Sequence, residues 1–248
     1  MTVNDLDRLF HQYFELIPAV TDQQRRAVFR LRYEVICQEM QMPGYEPWHF
    51  PDGLEIDEYD QRAVHTLLWH KPTDTLAGAV RLILPRRDAP DTPFPVEEHA
   101  ANAFHRNFRL PGGERRLHTA EVSRYILAKR FRSRPGESAH TFGTDELDIS
   151  AHDPRRRFPH PILGLQRAMF RMSAEQGIRH WYGIMEPALN RLLRRFALDL
   201  ETVGGLIQYN GMRRPYWADV ESMLERTRQE QQEIWEFVTA NGVYIPEP

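Results

Sequence analysis

Six charged side chains interrupt stretches that are otherwise apolar: Arg32, Asp57, Asp60, Arg81, Glu121 and Arg124. Charged groups are seldom buried unless paired, so these residues either form an ion network that fixes the fold or border a cleft where they act on a ligand. Glu121 and Arg124 stand together in Thr119-Ala-Glu-Val-Ser-Arg-Tyr-Ile-Leu127, which then runs into the cations Lys129, Arg130, Arg132 and Arg134. The window is rich in strand formers and has no Gly or Pro, which predicts a central strand. A carboxylate there is a candidate general base, and an arginine a bidentate holder of a carboxylate. In a regular strand Glu121, Ser123 and Tyr125 share one face while Val122, Arg124 and Ile126 share the other. The acid and the arginine therefore meet in one cleft only across a bulge.

The elements that must position these residues follow from periodicity. Leu6, Leu9, Phe10, Tyr13 and Phe14 predict a first helix over residues 4–16, and Thr21-Asp22 caps a second that carries Val28, Leu31 and Val35 inward. Residues 42–54 read as an ordered loop whose Tyr45, Trp48 and Phe50 either plug the core or line an acyl pocket. Strands over 63–70 and 76–84 flank the turn Lys71-Pro-Thr-Asp-Thr75 as a hairpin. Arg81 interrupts the second strand and needs a carboxylate or a ligand, which Glu55, Asp57 and Asp60 just upstream can supply. Residues 85–116, with five prolines, form an elaborated connection with a short helix near 96–107, and 132–160, including Arg155-Arg156-Arg157, read as a polar segment that is either a mobile lid or a surface insertion. Pro161 opens a helix that Gly177 closes. A strand over 180–185, a helix over 188–198, strands over 203–209 and 216–220, and a C-terminal helix over 221–240 complete the chain. This order predicts one domain over 1–248, a mixed α/β sheet with helices on both faces.

Composition excludes several classes. A chain of 248 residues with net charge -3 is a poor general nucleic-acid binder. One cysteine, Cys37, permits no intramolecular disulfide and no cysteine metal cluster, and the eleven histidines are scattered singly, so no metal is expected. The sequence has no G-x-G-x-x-G, P-loop, G-x-S-x-G or H-E-x-x-H pattern. An acidic, polar N-terminus and the lack of a long apolar run predict a cytoplasmic protein without stable membrane insertion.

The charged residues also carry a resemblance. Arg32-Tyr-Glu-Val35, Asp57-Glu-Tyr-Asp60, Gly78-Ala-Val-Arg81-Leu and Glu121-Val-Ser-Arg124 resemble, in order and spacing, the signature of the acyl-homoserine-lactone synthases, members of the GNAT-like acyltransferase superfamily. The likeness covers roughly residues 25–217 and extends to the long-chain N-acyl amino acid synthases. Tyr209-Asn-Gly-Met-Arg-Arg-Pro-Tyr216 is similar to the acyltransferases associated with PEP-CTERM and exosortase systems. The resemblance implies a GNAT-like fold and transfer of a fatty acyl group from the phosphopantetheine of an acyl carrier protein to an amine, with no permanently bound cofactor. Glu121 and Arg124 are then catalytic, and Arg32, Asp57, Asp60 and Arg81 shape the acceptor site. Lys129, Arg130, Arg132 and Arg134 dock the carrier, where other GNAT enzymes have a glycine loop for coenzyme A. The lactone synthases carry aromatics four and ten residues after the arginine matching Arg32. Ile36 and Met42 stand there in this chain, which favours an amino acid acceptor over S-adenosylmethionine. Two alternatives stay open: a homoserine-lactone synthase, and a non-catalytic module that binds an acyl carrier protein or lipid.

Overall fold

The computed structural model describes residues 5–132 and 161–247; Arg134, Arg155, Arg156 and Arg157 lie outside the described residues. The first half of the chain runs α1 (Asp5–Tyr13), β1 (Phe14–Pro18), α2 (Asp22–Arg32), β2 (Ala63–His70), β3 (Thr75–Ile83), α3 (Pro95–His99), α4 (Gly113–Leu117), β4 (Thr119–Leu127) and α5 (Lys129–Arg132). The second half runs α6 (Ile162–Gln176), β5 (His180–Met185), α7 (Pro187–Arg194), β6 (Glu201–Thr202), β7 (Ile207–Gln208), β8 (Met212–Asp219), α8 (Val220–Glu230) and α9 (Gln232–Val238). The strands make one sheet in the order β1-β2-β3-β4-β5-β8-β6, with β7 also on β8. Every pairing is antiparallel except β4 with β5.

Helices cover both faces, as the element order predicts. On one face α1, α6, α7, α8 and α9 pack a core that includes Phe10, Leu68, Leu82, Leu163, Phe170 and Phe237. On the other, α2 and the turn after it pack Val28, Leu31, Val35 and Ile36 against Leu67, Ala79 and Ile126. The 85–116 connection covers the rest of that second face, setting Phe94 and Val96 against Ile83, Tyr182 and Trp217. Arg116 pins this cover by a fork onto both oxygens of Glu97 at 2.6 and 2.7 Å. Among the described residues no helix is long and apolar enough to cross a membrane.

Several elements depart from the periodic reading. In place of the strand expected over 203–209 stand the two short strands β6 and β7, the strand expected over 216–220 begins earlier, at Met212, and three helical stretches differ. The first helix stops at Tyr13, because residues 14–18 pair along the edge of β2 in continuous register from Phe14↔His70 to Pro18↔Thr66. Tertiary pairing there overrides helical spacing, and Pro18 falls where an edge strand ends. The second helix is capped as expected, Thr21 Oγ1 accepting from the Gln24 amide at 3.2 Å. Beyond Arg32 it widens into a π turn over Tyr33–Glu39, with the Met40 amide donating to the Val35 carbonyl at 2.9 Å. The C-terminal helix divides at Gln231, so that α9 can turn Ile234, Phe237 and Val238 into the core.

Close backbone approach singles out Gly78 on β3: a Cβ there meets the Ile126 carbonyl oxygen at 2.5 Å. Gly78→Ala must push β3 and β4 apart beside the segment that carries Arg124. We expect it to lower unfolding stability by about 1–3 kcal/mol, read from the urea midpoint. An unchanged midpoint would show that β4 is not held this tightly.

Candidate active site

The sheet opens in its middle. β4 and β5 run in parallel register from Thr119↔His180 to Val122↔Gly183, after which the strands part. From Ser123 onward the β5-facing edge of β4 has no strand partner, and a cleft opens there, lined by residues 122–127 of β4 and 183–186 at the end of β5. Its floor and walls are largely apolar, with Met40, Met42, Met169, Leu189 and Leu193 among them.

β4 also carries the bulge that the spacing of its charges requires. Arg81 pairs with Ser123 and Ala79 with Ile126, so Val80 alone stands opposite both Arg124 and Tyr125. Arg124 takes φ +49°, a left-handed conformation that costs a residue with a Cβ about 1–2 kcal/mol. The consequence is a change of face. Arg124 joins Ser123 and Arg81 under α2, while Tyr125 turns to α6 and donates from its hydroxyl to the Ile162 carbonyl at 2.8 Å.

On that face five of the six sequence-selected charges close into a ring with Glu55. Arg124 Nη2 donates to Glu55 Oε1 and to Asp57 Oδ2, each at 2.9 Å. Arg81 Nη1 donates to Asp57 Oδ1 at 2.5 Å and to Asp60 Oδ1 at 2.8 Å. Arg32 donates to Asp60 Oδ1 at 2.7 Å and through Nε to Glu55. Arg32, Arg81 and Glu55 are buried to 1% exposure or less. Burial pushes Glu55 up, but the guanidinium groups of Arg124 and Arg32 outweigh it and hold its carboxyl at about 2. His65 lies against the ring, 3.6 Å from Asp60, and burial with Arg32 beside it drives its pKa down to about 4. It is neutral at pH 7, so three cations balance three anions.

Glu121 stands outside the ring and does not line the cleft. It is 3% exposed, and its Oε2 accepts from the Val96 amide of α3 at 2.8 Å. Burial raises its pKa to about 8, against the lowering effect of that hydrogen bond and of Arg81. Glu121 therefore stores a proton at neutral pH, one strand position below the point where β4 and β5 part.

Comparisons with known proteins bear on the fold that carries this site. A family model for the acetyltransferase (GNAT) domain matches residues 31–141, a span that contains all six of the selected charges. Among solved structures BjaI, described as a CoA-dependent acyl-homoserine lactone synthase with SAM and isopentyl-CoA, superposes with a TM-score of 0.57 at 19% identity, covering 95% of this chain and 90% of that one. TofI, in a ternary complex with an inhibitor and MTA, gives a TM-score of 0.56 at 17% identity over 89% and 99% of the two chains. The AHL synthase LasI gives 0.53 at 16% over 85% and 94%. The chain has a GNAT-like acyltransferase fold. No curated protein sequence matches it.

Within this GNAT-like sheet, several residues that spacing alone did not select also face the cleft: Glu186 from the end of β5, and Tyr209, Asn210 and Arg213 around β7 and β8. Their signal lay in the run Tyr209–Tyr216, which carries two arginines and a turn sequence but shows no periodicity. Of the loop aromatics, Tyr45 lines the cleft and accepts from Arg124 Nη2 at 3.2 Å, Phe50 packs against the α2 core, and Trp48 is 73% exposed. Lys129 and Arg130 are exposed beyond the end of β4, whereas Arg132 is held by Glu39 at 2.6 Å. Cys37 is buried, and burial pushes its thiol up to about 11, which makes it a poor nucleophile. Among the described residues no group of three or more His, Cys, Asp and Glu converges as a metal site would.

The two perturbed glutamates act on stability in opposite directions. An unfolded chain releases the Glu121 proton near the ordinary 4.5 and the folded chain keeps it to about 8, so this group removes stability as pH rises between those values. Glu55, held at about 2, contributes stability above 4.5 that is lost as pH falls towards 2. Glu121→Gln should therefore gain on the parent protein from pH 5 to 8. Glu55→Gln, which leaves Arg32 and Arg124 short of an anion, should lose about 3–5 kcal/mol at neutral pH and unfold with a shallower acid dependence. Urea midpoints between pH 3 and 8 read both, and parallel curves for all three proteins would contradict both assignments.

Proposed function

We propose that this protein is an N-acyltransferase that moves a fatty acyl group from an acyl carrier protein thioester to the amine of an amino acid. The observation that carries this reading is the parting of β4 and β5 after Val122 and Gly183. It leaves the β5-facing edge of β4 beyond Val122 without a strand partner, beside an apolar cleft. A thioester laid in the opening can take a backbone amide of that edge on its carbonyl oxygen, where negative charge develops as an amine attacks. Met40, Met42, Met169, Leu189 and Leu193 offer the acyl chain an apolar bed.

The transfer needs no covalent enzyme intermediate. The amine nitrogen bonds to the carbonyl carbon, the carbon–sulfur bond breaks, and the carrier leaves as a thiolate. The amine must give up one proton. Glu121, acting through water from below the opening, is the proposed acceptor, and its conjugate acid near pH 8 is matched to the task. Arg124 holds its neighbours in place and presents its partly exposed edge to the cleft. Arg32, Asp57, Asp60 and Arg81 act as positioning residues, because each is spent on the ring.

Ile36 and Met42 both line the cleft. Those positions are where the resembled lactone synthases carry aromatics, which supports an amino acid acceptor over S-adenosylmethionine. The exposed pair Lys129 and Arg130, just beyond the end of β4, suits an acidic carrier protein, and charge attraction raises the association rate. The likeness of Tyr209–Tyr216 to the exosortase-associated acyltransferases supports the same chemistry.

Two measurements test the reading. With an acyl carrier protein donor and mixed amino acids, N-acyl amino acids should form. Glu121→Gln should lower kcat by about 10² to 10⁴ and abolish any rise in rate through pH 8, whereas near-normal turnover at every pH would remove Glu121 from the reaction. Reversing both charges at Lys129 and Arg130 should raise the carrier KM and flatten its salt dependence while leaving acyl-CoA turnover unchanged. Equal effects on both donors would place the carrier elsewhere.

A further inference from the structure

If the acceptor is an amino acid, its carboxylate needs a cation, and the three arginines of the ring are all engaged. Arg32, Arg81 and Arg124 each donate to at least two of the ring carboxylates, so their charge is already balanced within the ring.

Arg213 is different. It lines the cleft with Tyr209 and Asn210, across the opening from the exposed edge of β4. Its Nε is buried without a hydrogen-bond partner, and among the described residues nothing accepts a hydrogen bond from its guanidinium. Burial lowers its pKa, and of its charged neighbours Glu186 opposes that shift while Arg124 adds to it. Its direction is set by the hairpin. Ile207 pairs with Arg213 and Gln208 with Met212, and Asn210 at φ +48° and Gly211 at φ +105° make the turn. Met212 is 52% exposed, so strand alternation sends Arg213 to the cleft side. An unpaired cation in a largely apolar cleft is costly to the protein alone and is offset when a ligand brings the anion.

We propose that Arg213 binds the acceptor's carboxylate and so selects amino acids over plain amines; this rests on the N-acyl transfer reading. The fork of the guanidinium takes both carboxylate oxygens and leaves the α-amine directed at the thioester.

The test compares amino acids with their carboxamides. The unmodified enzyme should prefer the acid by about 10-fold to 150-fold in kcat/KM, the worth of hydrogen bonds to a charged group. Arg213→Gln should raise the KM for the acid by a similar factor and leave the carboxamide reaction and the donor KM unchanged, with Arg213→Lys falling between. Equal acylation of acid and carboxamide by the unmodified enzyme, or a rise in donor KM alone in Arg213→Gln, would overturn the assignment and leave N-acyl transfer standing. If no N-acyl product forms from any amine, the transfer reading fails instead. Titration calorimetry with the same amino acids and carboxamides then decides whether Arg213 binds a carboxylate, since heat from the acids that is lost in Arg213→Gln supports it and indifference to the variant refutes it.

Discussion

Everything placed around the cleft depends on one closed ring of alternating charge. Arg32, Glu55, Arg124, Asp57, Arg81 and Asp60 come from a helix end, a loop and two strands. No two neighbours in the ring belong to the same regular element, so the ring ties the loop over residues 42–62 to the sheet where hydrophobic packing is thin. Its charges cancel, which is what allows Arg32 and Arg81 to be buried at all. The left-handed backbone of Arg124 persists for the same reason, since its guanidinium holds Glu55, Asp57 and Tyr45 at once.

The ring also divides the labour on one face of the sheet. Above it the cleft is open and apolar; below it the 85–116 connection covers Glu121, which accepts from the Val96 amide. Two carboxylates that both feel the charge of Arg124 thus sit in opposite regimes. Glu55 is pinned as an anion by cations on two sides, and Glu121 is kept protonated by desolvation that one amide and a more distant Arg81 do not overcome.

Much of this was legible in the residues. Arg81 inside an apolar strand demanded a carboxylate, and Asp57 and Asp60 supply it. Glu121 and Arg124 on one strand demanded a bulge to share a face, and the register slips between Ala79 and Arg81. What stayed hidden was set by tertiary contact. Phe14 to Pro18 has helical spacing upstream and becomes an edge strand because β2 offers unpaired backbone. That all three ring arginines would be consumed, leaving Arg213 as the cleft's unengaged cation among the described residues, depends on distances that spacing along a chain does not encode.

The lone parallel contact of the sheet has a mechanical consequence. β1 to β4 form one antiparallel block and β5 with β6 to β8 another, and among the described residues the two blocks pair as strands only over Thr119–Val122 with His180–Gly183. The sheet is therefore two half-sheets joined by a short hinge, with α6 bridging them across the back. A molecule seated in the gap touches both halves and acts as a brace, so occupancy and rigidity rise together. The empty protein should breathe most at this opening, and a ligand bound there stiffens the fold by mass action.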